Sequence, residues 1–167
     1  EANARTTWVG QTEINASATE MGDGGTVIVW SDEQTTFQGS ITASGGATSG
    51  DGGFVEISGK ALSYDGEVSL GATDGQPGTL LFDPENIIIH GTAAGDLDGD
   101  DDGNTSNVEF DHSAGTSIDF ESVFTNEALL ASNFDVYESE IEATDANVVL
   151  KATDSITVEG NFVGQDL

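Results

Sequence analysis

Two Gly-Asp-Gly-Gly segments, at residues 22–25 and 50–53, stand 28 residues apart and set the frame for the rest of the chain. Residues 22–49 read GDGGTVIVWSDEQTTFQGSITASGGATS, and residues 50–77 read GDGGFVEISGKALSYDGEVSLGATDGQP. A third unit opens at Gly78 with GTLLFDPENIIIH. Each glycine cluster leads into a short run rich in β-branched and aromatic residues, at 26–30, 54–58 and 79–82. Such runs favour extended backbone.

Laid over one another, the runs keep their parity. Val27, Val55 and Leu80 share one column, and Val29, Ile57 and Phe82 share another. Ile28, Glu56 and Leu81 fall between them. Side chains alternate faces along a strand, so the first two columns predict an interior stack and the third an outward face. A second run repeats after a one-residue deletion, with Phe37, Ile41 and Ala43 matching Tyr64, Val68 and Leu70. Ile14 and Ala16 precede Ile41 and Ala43 at the same spacing and mark a degenerate first unit.

A unit of 27 or 28 residues with two or three short strands cannot bury its own apolar face. Stacked units can, and the expected product is an all-β parallel β-helix, or solenoid, in which each strand pairs with its counterpart roughly 4.8 Å away on the next turn. The glycines then fall at corners, where positive φ or close backbone approach excludes a Cβ. An antiparallel sandwich is the structural alternative, although its hairpins would not be expected to keep these columns in register.

Charge excludes several functions. There are 31 acidic residues against 3 basic ones, Arg5, Lys60 and Lys151, for a formal net charge of −28. Phosphate neutralisation needs a basic face, so no nucleic-acid partner is expected. Anionic lipid is excluded on the same ground, and no stretch approaches the roughly 18 apolar residues of a spanning helix, so no membrane insertion is expected. The acidic surface suits saline surroundings or divalent cations. Cysteine is absent, which removes disulfides and thiolate metal sites.

The residues also carry a resemblance. Residues 22–91, with GDGGTVIVW, GSITASGG, GDGGFVEISGK and GTLLFDPENIII in that order, resemble the filamentous-haemagglutinin type of large exoprotein. Residues 136–160, containing NVVLKATDSITVEG, resemble that family's later coils more weakly. Such proteins are adhesins exported by two-partner secretion in Gram-negative bacteria and cyanobacteria. The resemblance implies a right-handed parallel β-helix at the cell surface or in the extracellular medium, with adhesion or filament formation as its role. Its implied partners are neighbouring coils of a longer chain, like subunits in a fibre, and host, cell-surface or matrix carbohydrate. It carries over no catalytic or cofactor-binding residues. The family's amino-terminal secretion domain has no counterpart in the sequence, and the chain is expected to be an internal segment.

Residues 98–109 read DGDDDGNTSNVE and satisfy D-x-[DN]-x-[DN]-G-x5-E through Asp98, Asp100, Asp102, Gly103 and Glu109. Calcium takes roughly six to eight oxygens, which alternate carboxylates supply while the glycine permits the turn. Asn104 would add its carbonyl and Ser106 a hydroxyl or bridging water. These residues predict a Ca²⁺ site without the helices of an EF-hand, because HGTAAGDL before them is not amphipathic and Thr105 occupies the usual apolar position. Asp96 replaces one ligand if the register shifts. A solvated acidic loop is the competing explanation. Three regions follow: coils over residues 1–91, an acidic insertion over 92–116, and a short helix with further coils over 117–167.

In the last region Phe120, Val123, Phe124, Leu129 and Leu130 have partly helical spacing, and Thr125 can cap a short helix beginning near Asn126. Strand character returns at 148–152 and 156–158. Catalysis is not expected. His90 and His112 belong to no metal-binding or nucleophile motif, and Asp83 with Glu85 reads first as a turn around Pro84. Trp8 and Trp30 serve either packing or sugar stacking. The structural and adhesive reading thus competes with a carbohydrate-binding or polysaccharide-cleaving β-helix.

Overall fold

The computed structural model describes residues 3–91, 133–137, 141 and 144–159. These form eleven strands: β1 (Thr6–Val9), β2 (Glu13–Asn15), β3 (Thr26–Phe37), β4 (Ser40–Thr42), β5 (Phe54–Tyr64), β6 (Glu67–Ser69), β7 (Thr79–Asp83), β8 (Asn86–His90), β9 (Asn133–Tyr137), β10 (Asn147–Leu150) and β11 (Ser155–Glu159). They make three sheets, ordered β1-β3-β5-β7-β10, β2-β4-β6 and β11-β8-β9. Every pairing between these strands is parallel, unlike the hairpins of the antiparallel alternative. Among the described residues no helix is long and apolar enough to cross a membrane.

Parallel neighbours need a crossover. Here the crossover from β3 to β5 runs through β4, a strand of a second sheet, and that from β5 to β7 runs through β6. The chain therefore alternates between these two sheets from β3 to β7, and β8 then enters the third. The register confirms the expected columns: Val27 lies opposite Val55, which lies opposite Leu80, which lies opposite Val148. Val29, Ile57, Phe82 and Leu150 follow in the next interior column. Ile28, between them, is 59% exposed. Ile14, Ile41 and Val68 align on the small sheet as their spacing requires.

β3 and β5 are longer than their apolar runs suggest. Each turns a bend and continues, and the pairing shifts between Ser31 and Gln34: Ser31 faces Gly59, whereas Gln34 faces Ala61. Two residues of β3 thus oppose the single Lys60. The irregularity is where the one-residue deletion between the units is absorbed, as a bulge allows. Buried hydroxyls satisfy the backbone there. Ser31 Oγ donates to the Gln34 carbonyl at 2.6 Å, and Thr35 Oγ1 donates to the Ser58 carbonyl at 2.7 Å. Ser31 and Thr35 hydroxyls lie 2.8 Å apart, so the bend has a polar core.

Aromatic rings join the turns. Phe37 stacks on Tyr64 at 5.7 Å between centroids, and Tyr64 meets Phe82 edge-on at 5.0 Å. Phe82 lies 5.0 Å from Phe134 of β9. All four rings are fully buried. β9 pairs with β8 on the side away from β11 and also touches β5. The helix expected near Asn126 lies outside the described residues, as does the 92–116 insertion. β7 ends at Asp83, before Pro84, as the Asp-Pro turn implies.

The corners explain the glycines and add a role for the aspartates. Gly22 and Gly50 have φ of 112° and 126°, a region side chains avoid. A Cβ on Gly53 would overlap the Gly25 carbonyl oxygen, and one on Gly78 the Gly53 carbonyl oxygen. Asp23 Oδ1 accepts the Asp51 backbone N–H at 2.9 Å, and Asp51 Oδ1 accepts that of Gln76 at 2.8 Å. Each aspartate therefore ties its turn to the next. Asp51→Ala is expected to cost about 1 kcal/mol in urea unfolding. The Gln76 amide should exchange faster with solvent while the Val55 amide keeps its protection. Equal exchange in variant and parent would remove this role.

Candidate functional site: a charged groove at the bend

The bend collects the chain's few cations. The Glu33 amide bonds to the Arg5 carbonyl, that of Glu85 to the Lys60 carbonyl, and that of Asp154 to the Glu85 carbonyl, at 2.8–3.0 Å. These residues consequently stack along one ridge. Arg5 Nε and Nη2 donate to the two Glu33 carboxylate oxygens at 2.8 and 2.9 Å. Lys60 Nζ lies 3.4 Å from Glu85. Lys151, which follows β10, is ion-paired with Asp83. All three cations of the chain thus bridge one turn to another here, in bonds that neutralise only a fraction of the acidic surface.

Strand parity places Trp30, Ser58, Asp83 and Lys151 in one outward column. Beside it opens a groove of about 280 Å³, lined by Trp30, Asp32, Lys60, Asp83, Glu85 and Thr153. The indole is 42% exposed. The Asp83 and Glu85 side chains are only 19% and 32% exposed, whereas their lysines extend into solvent at 66% and 61%. The arrangement holds an aromatic surface next to fixed carboxylate acceptors and ammonium donors.

Asp83's hydrogen bond, and then its charge, raise the Lys151 pKa above the ordinary 10.5. Glu33 raises that of Arg5 in the same order of causes. A folded pKa above the unfolded one means that the stabilisation is complete below the unfolded value. It is lost as pH rises through the folded one. The stability difference between the parent and Lys151→Met is therefore expected to be small at neutral pH, because the lysine extends into solvent, and to close above about pH 10.4. Urea midpoints compared at neutral and strongly alkaline pH check this. A difference that persists after lysine deprotonation would contradict the assignment.

A larger groove of about 490 Å³ is lined by Gln11, Glu13, Gln38, Ser40, Asp65 and Glu67 among others. It repeats carboxylate, amide and hydroxyl groups on successive turns and has no aromatic wall. Among the described residues, no group of three or more His, Cys, Asp or Glu side chains is placed to hold a metal ion.

No protein-family model, no curated protein and no solved structure matches this chain.

The calcium ligands predicted from sequence, Asp98, Asp100, Asp102, Asn104 and Glu109, lie outside the described residues, as do Asp96, Ser106 and His112. His90 ends β8, as its position after three isoleucines suggests. Trp8 and Trp30 are not brought together, for Trp8 faces Thr36 and its ring lies over Gly10, while Trp30 faces Ser58. Asp83 and Glu85 do share a groove. Each pairs with a lysine from another turn, a grouping not found from the sequence. The signal was present for one of them: Lys60 precedes Glu85 by 25 residues, the same step that pairs Phe54 with Thr79.

Proposed function

We propose that the chain is a right-handed parallel β-helix serving as a structural and adhesive segment of a secreted bacterial surface protein, of the filamentous-haemagglutinin type that residues 22–91 resemble. The observation that carries this reading is the continuous parallel register from β3 through β5 and β7 to β10, which makes each turn the template for the next. A stack of this kind has a rigid interior and presents repeated side chains along a long surface. That is what a shaft needs. The acidic run at 98–109 adds calcium stabilisation to the proposal.

Beads coated with the purified chain should adhere to cells or matrix in a manner that soluble chain blocks. The chain should release no new reducing ends from polysaccharides during prolonged incubation. Sustained turnover would replace the structural reading with an enzymatic one, and coated beads that behave like bare ones would remove adhesion. Calorimetric titration with Ca²⁺ tests the metal separately. The parent should give saturable heat that an Asp100→Ala, Asp102→Ala variant lacks, and a parent trace equal to buffer removes calcium.

A further inference from the structure

We propose that the groove beside Trp30 binds an uncharged hexopyranose unit of a polysaccharide. This rests on the adhesive part of the function proposed above and names the class of ligand. Sugar rings present an apolar face of C–H groups and an edge of hydroxyls that both donate and accept hydrogen bonds. The groove has the complement of each. Trp30 supplies the aromatic face, 42% exposed, on a strand held in register by its neighbours. Asp83 and Glu85 supply acceptors and Lys60 a donor, and the two carboxylates are already oriented by their pairing with Lys151 and Lys60. Acceptors held in place in this way lose little freedom when a ligand arrives. Thr153 completes the wall.

Charge selects a neutral sugar over a uronate or sulfated one. Asp32, Asp83 and Glu85 line the groove against one lysine, Lys60, and both Lys60 and the neighbouring Lys151 already have a carboxylate partner. An anionic chain would find no unpaired cation and would approach a protein of net charge −28. Size argues for a single unit. The volume of about 280 Å³ is at the small end of ligand pockets, which span roughly 300–1,000 Å³. The rest of a polysaccharide would run across the exposed face of the sheet.

A Trp8→Phe variant leaves Trp30 as the only indole of the chain. Its emission should change saturably with at least one of three neutral probes: a gluco-hexaose, a manno-hexaose or a galacto-hexaose. Hexagalacturonate should bind at least about tenfold more weakly. Trp30→Ala, with its fold checked by circular dichroism, should weaken the same neutral probe by about tenfold or more in calorimetry. If that variant does not fold, protection of Trp30 from N-bromosuccinimide by the neutral probe in Trp8→Phe answers the same question. The proposal is overturned if no neutral hexaose acts at millimolar concentration, if hexagalacturonate binds equally well, or if Trp30→Ala binds like the parent. Such a failure leaves the stacked-scaffold reading intact, because that reading rests on strand register.

Discussion

Replacing Phe82 with alanine is expected to lower the unfolding free energy by about 3–5 kcal/mol, the largest loss from any single side chain in the described residues. Phe82 is fully buried and occupies two roles at once. It continues the interior column of Val29 and Ile57, and its ring lies 5.0 Å from both Tyr64 and Phe134. Truncation would remove the transfer energy of the ring and leave a cavity whose walls are strands pinned on both sides. Such walls cannot collapse far, so the cavity contribution should persist. The midpoint of guanidinium unfolding, at unchanged slope, measures the loss. Amide exchange should then distinguish the neighbours: β9, held to the core through Phe134, should lose protection before β3 does. A loss under about 1 kcal/mol would mean that the aromatic chain does not join the turns.

The second large effect concerns a residue without a side chain. Gly53→Ala should destabilise by about 3 kcal/mol, at or beyond the usual upper end for overpacking. The added Cβ would overlap the backbone carbonyl oxygen of Gly25 and approach the Ala43 Cβ at 3.0 Å. Backbone cannot rotate away as a long side chain can. Relief requires the two turns to separate, which breaks the bond from the Phe54 amide to the Gly25 carbonyl at 3.0 Å. Gly22→Ala provides the control. Nothing lies within 4 Å of a Cβ there, so only its φ of 112° opposes the change. That conformational cost is about 1–3 kcal/mol and leaves the stacking distance alone. Denaturant midpoints for both variants, with amide exchange at Phe54, test the distinction. If Gly53→Ala keeps native protection at Phe54, the close approach of the turns is not a structural requirement.

The two substitutions also mark what the residues disclosed in advance. Val27, Val55 and Leu80 were legible as a column because alternation is a local rule and a near-constant step repeats it. The positive-φ corners at Gly22 and Gly50 were legible for a similar reason. The passage of β3 through the bend was not, since Ser31, Asp32, Glu33 and Gln34 break the alternation of apolar residues. Burial there is by hydroxyls that satisfy backbone carbonyls, a pattern without a periodic signature. Corner geometry accounted for the glycines of Gly-Asp-Gly-Gly but gave no reason for the aspartate between them. The reason is an amide on the following turn.

The candidate groove divides in the same way. Trp30 and the Asp83–Glu85 pair drew attention in the sequence, and the step of one turn links Lys60 to Glu85. Lys151 has no such signal, being 68 residues from the Asp83 with which it pairs. Its place follows from the pairing of β10 with β7, two strands far apart in the sequence.

By itself the sequence determined the strands at 26–30, 54–58 and 79–82, their inward and outward faces, the glycine corners and the acidic character of the surface. Each depends on residues close together or on a repeated step. Tertiary structure alone decided that β9 lies against β8, that the aromatic column extends to Phe134, and that Lys151 meets Asp83 beside Trp30. Those contacts join parts of the chain separated by a non-repeating segment. No periodicity spans it, and only three-dimensional packing sets which residues meet.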